Sequence, residues 1–211
     1  MAYRRTAAAR ERDVRARAAI LGAARDVVRE SGLTGAAIAA VAARAGVAVG
    51  TVYRHFPSRD DLIAEVVRET CERELAAVAA VAASDRQPAD RLVEAVGLFA
   101  TRALASGRLA YSMIAEPTSE AAEALRLVIR ADLAGLFAAI VADGVSTGAF
   151  AEQNPETSGT ALVGAVSEIL IGPLARPRLT STERAELLDE LTQFTMRSVG
   201  ARASAELEVA R

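Results

Sequence analysis

One thirteen-residue stretch, Arg44-Ala45-Gly46-Val47-Ala48-Val49-Gly50-Thr51-Val52-Tyr53-Arg54-His55-Phe56, constrains this chain more than any other. Gly46 suits a tight turn between two helices, because glycine alone adopts positive φ without steric cost. Val47, Val52 and Phe56 are spaced to pin the helix after the turn onto a core. Between these anchors lie Val49, Gly50, Thr51, Tyr53, Arg54 and His55, which can meet phosphates or base edges. That is what a helix lying in a DNA groove needs. The stretch therefore reads as the turn and recognition helix of a helix-turn-helix.

The rest of the chain also reads as helix, punctuated by glycine, proline and capping residues. A first helix is expected from about Asp13 to Glu30, with Ile20, Leu21, Ala24, Val27 and Val28 on one face and Ser31-Gly32 as its stop. A second spans about Ala36 to Ala43 and a third about Val49 to Arg54. Ser58 and Asp61 form a capping box that opens a long fourth helix. Five more follow, broken at Ser84–Pro88, Ser106-Gly107, Pro117, Asn154-Pro155 and Pro177. The expected architecture is all-α, about nine helices: a basic N-terminal arm (1–12), a three-helix DNA-binding domain (13–57), a larger helical ligand-binding and dimerisation domain (58–200) and a frayed tail (201–211).

Charge divides the chain at the same place. Residues 1–59 hold eleven Arg against four acids, a balance of +7, whereas residues 60–211 hold fourteen Arg against twenty-three acids, a balance of −9. A basic head on an acidic body is the electrostatic footprint of a phosphate-binding module. No uncharged apolar run of 18 residues occurs, so no membrane-spanning helix is expected. The single cysteine, Cys71, excludes an intrachain disulfide and suits a reducing, cytoplasmic setting.

From Ile20 to Leu62 the chain resembles the DNA-binding domain of the tetracycline-repressor (TetR) family. The residues that carry the resemblance are Ile20, Ala23-Ala24, Gly32, Ile38, Val41-Ala42, Ala45-Gly46-Val47, Gly50-Thr51-Val52-Tyr53, His55-Phe56, Ser58 and Leu62. The resemblance implies a dimeric regulator on a near-palindromic operator. It implies that Thr51, Tyr53 and His55 contact DNA, that Gly50 permits close approach, and that Arg59 grips a phosphate where the family usually has lysine. Arg44 and Arg54 are further candidates. The chain departs from the pattern at Ala36-Ala37 and Ala48, where the family often carries hydroxyls that cap helices and bind phosphate. Losing a cap costs about 1 kcal/mol. Thr34 or Gly35 is expected to replace the first; an arm bearing Arg4, Arg5, Arg10, Arg12, Arg15 and Arg17 either replaces the phosphate contacts or is a solvated, disordered tail.

The acidic body then reads as a sensor. Leu98, Phe99, Tyr111, Met113, Ile114, Ile129, Leu133 and Phe137 are candidate walls of a cavity for a small, mostly apolar effector. Arg102, Glu116, Arg126 and Arg130 could orient it. The last two helices offer Leu162, Val166, Ile169 and Leu170, then Leu188, Leu191 and Phe194, as a homodimer interface built as a four-helix bundle. Effector binding would move the fourth helix, tethered to the recognition helix through Pro57-Ser58, and so release a repressor from its operator. A lipophile-binding protein with a degenerate DNA head is the alternative. An enzyme is the weaker rival: with one histidine, His55, and one cysteine, a His/Cys zinc site or Ser-His-Asp triad lacks materials, and no cofactor or metal is implied.

Overall fold

The computed structural model describes residues 7–176 and 179–201. Its order is α1 (Ala7–Gly35), α2 (Ile38–Ala45), α3 (Val49–His55), α4 (Arg59–Ala82), α5 (Pro88–Ser106), α6 (Arg108–Ile114), α7 (Glu120–Ser146), α8 (Pro155–Ala175) and α9 (Ser181–Ser198). All nine described elements are helices. α1 begins at Ala7, so residues 7–12 extend the helix into the stretch expected as an arm. It departs from helical geometry at Gly32 (φ 77°, ψ 177°), the stop legible in Ser31-Gly32. Gly46 closes α2 in the left-handed conformation at φ 66°.

Caps explain most of the boundaries. Ser58 and Asp61 form the capping box of α4, and Thr180 and Glu183 that of α9. The Asn154 side chain accepts from the Thr157 N–H, and Pro155 opens α8. Ala37 and Ala48 stand at the cap positions before α2 and α3 and offer no side-chain cap. Neither Thr34 nor Gly35 supplies one to α2; the Thr34 hydroxyl is turned to Glu116 instead, at 2.8 Å.

Two cores form. The first joins Ile20, Val28, Val41, Val52, Phe56, Leu62 and Val67 of α1 to α4 with Leu109 of α6 and Ala122 of α7. The second holds α5, α7, α8 and α9 around Leu92, Phe137, Ile140, Leu170 and Leu191. α8 lies directly on α7 because Gly159 leaves no bulk between them: a Cβ there would come within 2.4 Å of the Ala134 carbonyl. α8 is also long and apolar enough to cross a membrane by length and composition. Its two acids, Glu156 and Glu168, hide it from a search for an uncharged run. In the fold one face of it is core: Leu162, Val163, Val166, Leu170 and Leu174 are buried.

Candidate functional site: an exposed helix after a glycine turn and a lined cleft

α3 is fixed by its buried side, where Val52 is inaccessible and Phe56 is 3% exposed. Its outer side presents Val49, Gly50, Tyr53 and Arg54, with Thr51 half-buried beside them. Val49 and Tyr53 rank among the exposed large apolar residues of the protein. No protein atom lies within 4 Å of where a Gly50 side chain would begin, so nothing in the fold requires glycine there. Arg54 has no ion-pair partner among the described residues.

Other residues expected on this face are engaged elsewhere. His55 is turned inward: its side chain is 7% exposed, with Nε2 3.7 Å from the Asp13 carboxylate. The ring helps close the α1–α3 contact. Arg59 donates to the carbonyls of Leu33, Thr34 and Ala36, so its guanidinium ties α4 to the end of α1 rather than waiting for a phosphate. Arg44 makes a bidentate pair with Glu30 at 2.6 and 2.7 Å. Arg17 pairs with Glu65 and lies 4.9 Å over the Phe56 ring, and Arg15 pairs with Glu11. Much of the positive charge of the head is thus matched by acids within the chain. Arg4 and Arg5 lie outside the described residues.

Within the helical body, α4 to α8 line a cleft that is partly open to solvent. Of the candidate wall residues, Phe99, Met113, Ile114, Ile129, Leu133, Arg102, Arg126 and Arg130 line it. Leu98, Tyr111 and Phe137 do not: Phe137 is 1% exposed in the second core, and Tyr111 packs against that core. The sequence reading missed α4, which contributes Thr70, Cys71, Glu74 and Leu75. Arg102 and Glu74 are joined by two hydrogen bonds, of 2.6 and 2.9 Å, across the α4–α5 side. Burial pushes the Cys71 thiol up to about 11, so it stays neutral and behaves as a small apolar group.

A half-exposed helix after a glycine turn, set on a body with an apolar cleft, matches known proteins at both levels. Residues 20–66 match the family model described as bacterial regulatory proteins, tetR family. Over those 47 residues of 211 the chain is similar to the DNA-binding part of that family. Beyond residue 66 the likeness is one of fold. RolR, solved with resorcinol, is 20% identical over 95% of each chain, with a TM-score of 0.65. SmeT, the repressor of a Stenotrophomonas maltophilia multidrug efflux pump, is 19% identical over 89% of this chain and 91% of its own, at 0.72. FadR from Bacillus subtilis, solved with stearoyl-CoA, is 16% identical over 86% and 98%, at 0.75. A search of curated proteins returned no match.

One candidate ligand residue has a different task. Glu116, just after α6, is 6% exposed and lies outside the cleft lining. Its carboxylate accepts from the backbone N–H of Leu33 and of Thr34, at 3.0 and 2.9 Å, and from the hydroxyls of Thr34 and Ser112. Burial would raise its pKa, but the hydrogen bonds from Ser112, Thr34 and Leu33 outweigh it and hold the carboxyl at about 2. Gly32 is required beside it, since a Cβ there would sit 2.6 Å from the carboxylate. Arg126, in the cleft wall, donates to the Glu116 carbonyl at 2.8 Å and pairs with Glu123. One wall of the cleft is therefore hydrogen-bonded to the residue that holds the end of α1. No sequence signal joins Glu116 to Leu33, because the partners lie more than eighty positions apart.

The proposed dimer face needs correction as well. Leu162, Val166, Leu170 and Leu191 are 2%, 1%, 0% and 1% exposed, so they close the subunit's own core. Ile169 and Phe194 remain outside at 36% each, with Leu188 half-buried.

Proposed function

We propose that this regulator binds a near-palindromic operator as a homodimer in the cytoplasm, acts as a repressor, and is released by a small, mostly apolar effector in the α4–α8 cleft. The observation that carries the reading is the connection just described. Arg126 belongs both to the cleft wall and to the hydrogen-bond set around Glu116, which grips the head at Leu33 and Thr34. An effector that displaces Arg126 or shifts α6 would change where α1 is held, and α1 carries α3 through the shared core. This replaces the simple tether through Pro57-Ser58 with two links, α4 through Arg59 and α6 through Glu116. Such coupling is a difference in effector affinity between two states, and it must act reciprocally on DNA.

DNA contact would fall to Val49, Gly50, Thr51, Tyr53 and Arg54, with Arg44 available once a phosphate displaces Glu30. Arg4 and Arg5 would extend the contact along the backbone. The outer faces of α8 and α9, through Ile169 and Phe194, would join the subunits. Fold neighbours named for resorcinol, stearoyl-CoA and an efflux pump support a cleft that takes small organic molecules.

A gel-shift titration with DNA from just upstream of the coding region, with nonspecific competitor and at two salt concentrations, tests the reading. Nanomolar, competitor-resistant binding is expected. Weak binding that added salt erases, on this DNA and on a randomised operator pool alike, would leave a cleft-binding protein with a degenerate head.

A further inference from the structure

The charges around the cleft do not cancel. Among the ionisable residues that line it, Glu74 is matched by Arg102 and Arg126 by Glu123. Arg130, one turn beyond Arg126 on α7, lines the same space and has no acidic or carbonyl partner among the described residues. Two hydroxyls in the lining are also unmatched. Thr70 Oγ1 is buried with no hydrogen-bond partner. Ser167 is 6% exposed and its hydroxyl makes no hydrogen bond to the described protein. Every other large surface of the cleft is apolar: Leu75, Phe99, Leu109, Met113, Ile114 and Leu133. Buried hydroxyls in native proteins nearly always find a partner, so the orphaned Thr70 Oγ1, in the same lining as the unneutralised Arg130 and the unbonded Ser167 hydroxyl, marks a place where a ligand's polar atoms belong.

We propose that the effector is an apolar organic acid. Its carboxylate meets the Arg130 guanidinium, its polar atoms engage Thr70 and Ser167, and its hydrocarbon or aromatic body fills the rest of the cleft. The inference rests on the cleft being the effector site and goes beyond it by fixing the ligand's charge. A carboxylate suits the position because a guanidinium offers it paired, charge-assisted hydrogen bonds. A cationic ligand would meet Arg130 with no acid left free to offset it, since Glu74 is held on both oxygens. A neutral ligand would leave the cation as it is and gain nothing from it.

Calorimetric titration of the full-length protein at pH 7.5, without DNA, tests this with octanoate, octanol and octylamine, and with 4-tert-butylbenzoate and its benzyl alcohol. At least one acid is expected to bind about tenfold or more tightly than the matching alcohol, with the amine weakest. Arg130→Gln, at an exposed position that the fold does not need, should remove that preference and leave alcohol affinity unchanged. Equal binding of acid and alcohol, preference for the amine, or no binding of either acid at millimolar concentration would overturn the proposal. Ile129→Trp, which fills the cleft from a half-buried position, separates the two readings. Loss of both acid and alcohol binding supports the site. Acid binding that survives it puts the ligand elsewhere and overturns the proposal together with the effector cleft. Alcohol binding that is lost in Ile129→Trp without any acid preference overturns the charge assignment alone.

Discussion

At the scale of the residue, Glu116 makes the sharpest claim. Its carboxyl is held at about 2 in the folded chain against an ordinary value of 4.5. A depressed carboxyl contributes stability that is present above pH 4.5 and is lost as pH falls from there toward 2. The shift corresponds to about 3 kcal/mol at neutral pH. Denaturant titrations of the wild type and Glu116→Gln should therefore differ most at pH 7 and converge near pH 2; parallel curves across that range would show that the carboxylate is not the stabilising species. Gly50 makes the opposite kind of claim. No neighbour crowds it, so Gly50→Ala should leave stability unchanged or raise it by about 0.4–1 kcal/mol. The same methyl group would stand on the face offered to DNA and should cut operator affinity by at least about tenfold. A gel shift showing full affinity would mean that α3 does not approach DNA at Gly50.

At the scale of the element, helices alike in sequence separate by what covers them. Gly159 and Gly50 both sit within helices, yet Gly159→Ala drives a methyl into the Ala134 carbonyl. Overpacking of this kind costs about 1–3 kcal/mol, read as a lower midpoint of thermal unfolding. The α8 and α9 faces divide in the same way. Ile169→Glu should leave the subunit folded and yield monomers in analytical ultracentrifugation, because the charge is buried only on association. Val166→Glu should unfold the subunit itself. A dimer that survives Ile169→Glu would place the interface elsewhere. The helix ends were legible in advance: Ser58, Asn154-Pro155 and Gly46 each satisfy or release backbone groups locally. The facing of α8 was not, because an apolar residue at helical spacing carries no mark of whether its neighbour is its own chain or another. The intramolecular partners of Arg44, Arg59 and His55 were not legible for a related reason. Their side chains are satisfied by Glu30, by the α1 carbonyls and by packing near Asp13, partners that only the fold brings near.

At the scale of the whole molecule, effector and DNA are coupled through α6 and α4 in this reading. Reciprocity makes a prediction that needs no knowledge of the path. Whatever factor the effector removes from DNA affinity, operator DNA must remove from effector affinity, typically about 5- to 150-fold. Titrating octanoate with and without saturating operator measures it. Equal affinity in both would show that the cleft does not report to the head.

The sharing of one core by α1 to α4 with Leu109 and Ala122 bears on modularity. A head that closes its interior with side chains from the body is not a portable cassette. A chain cut after Phe56 should lose the apolar cover that α4, α6 and α7 supply, and should fail to fold alone. Grafting this head onto a foreign sensor would meet the same gap unless residues matching Leu109, Glu116 and Ala122 travelled with it. Exchange of recognition specificity within such a chain is therefore easiest one side chain at a time, on the outer face of α3, where no interior is disturbed.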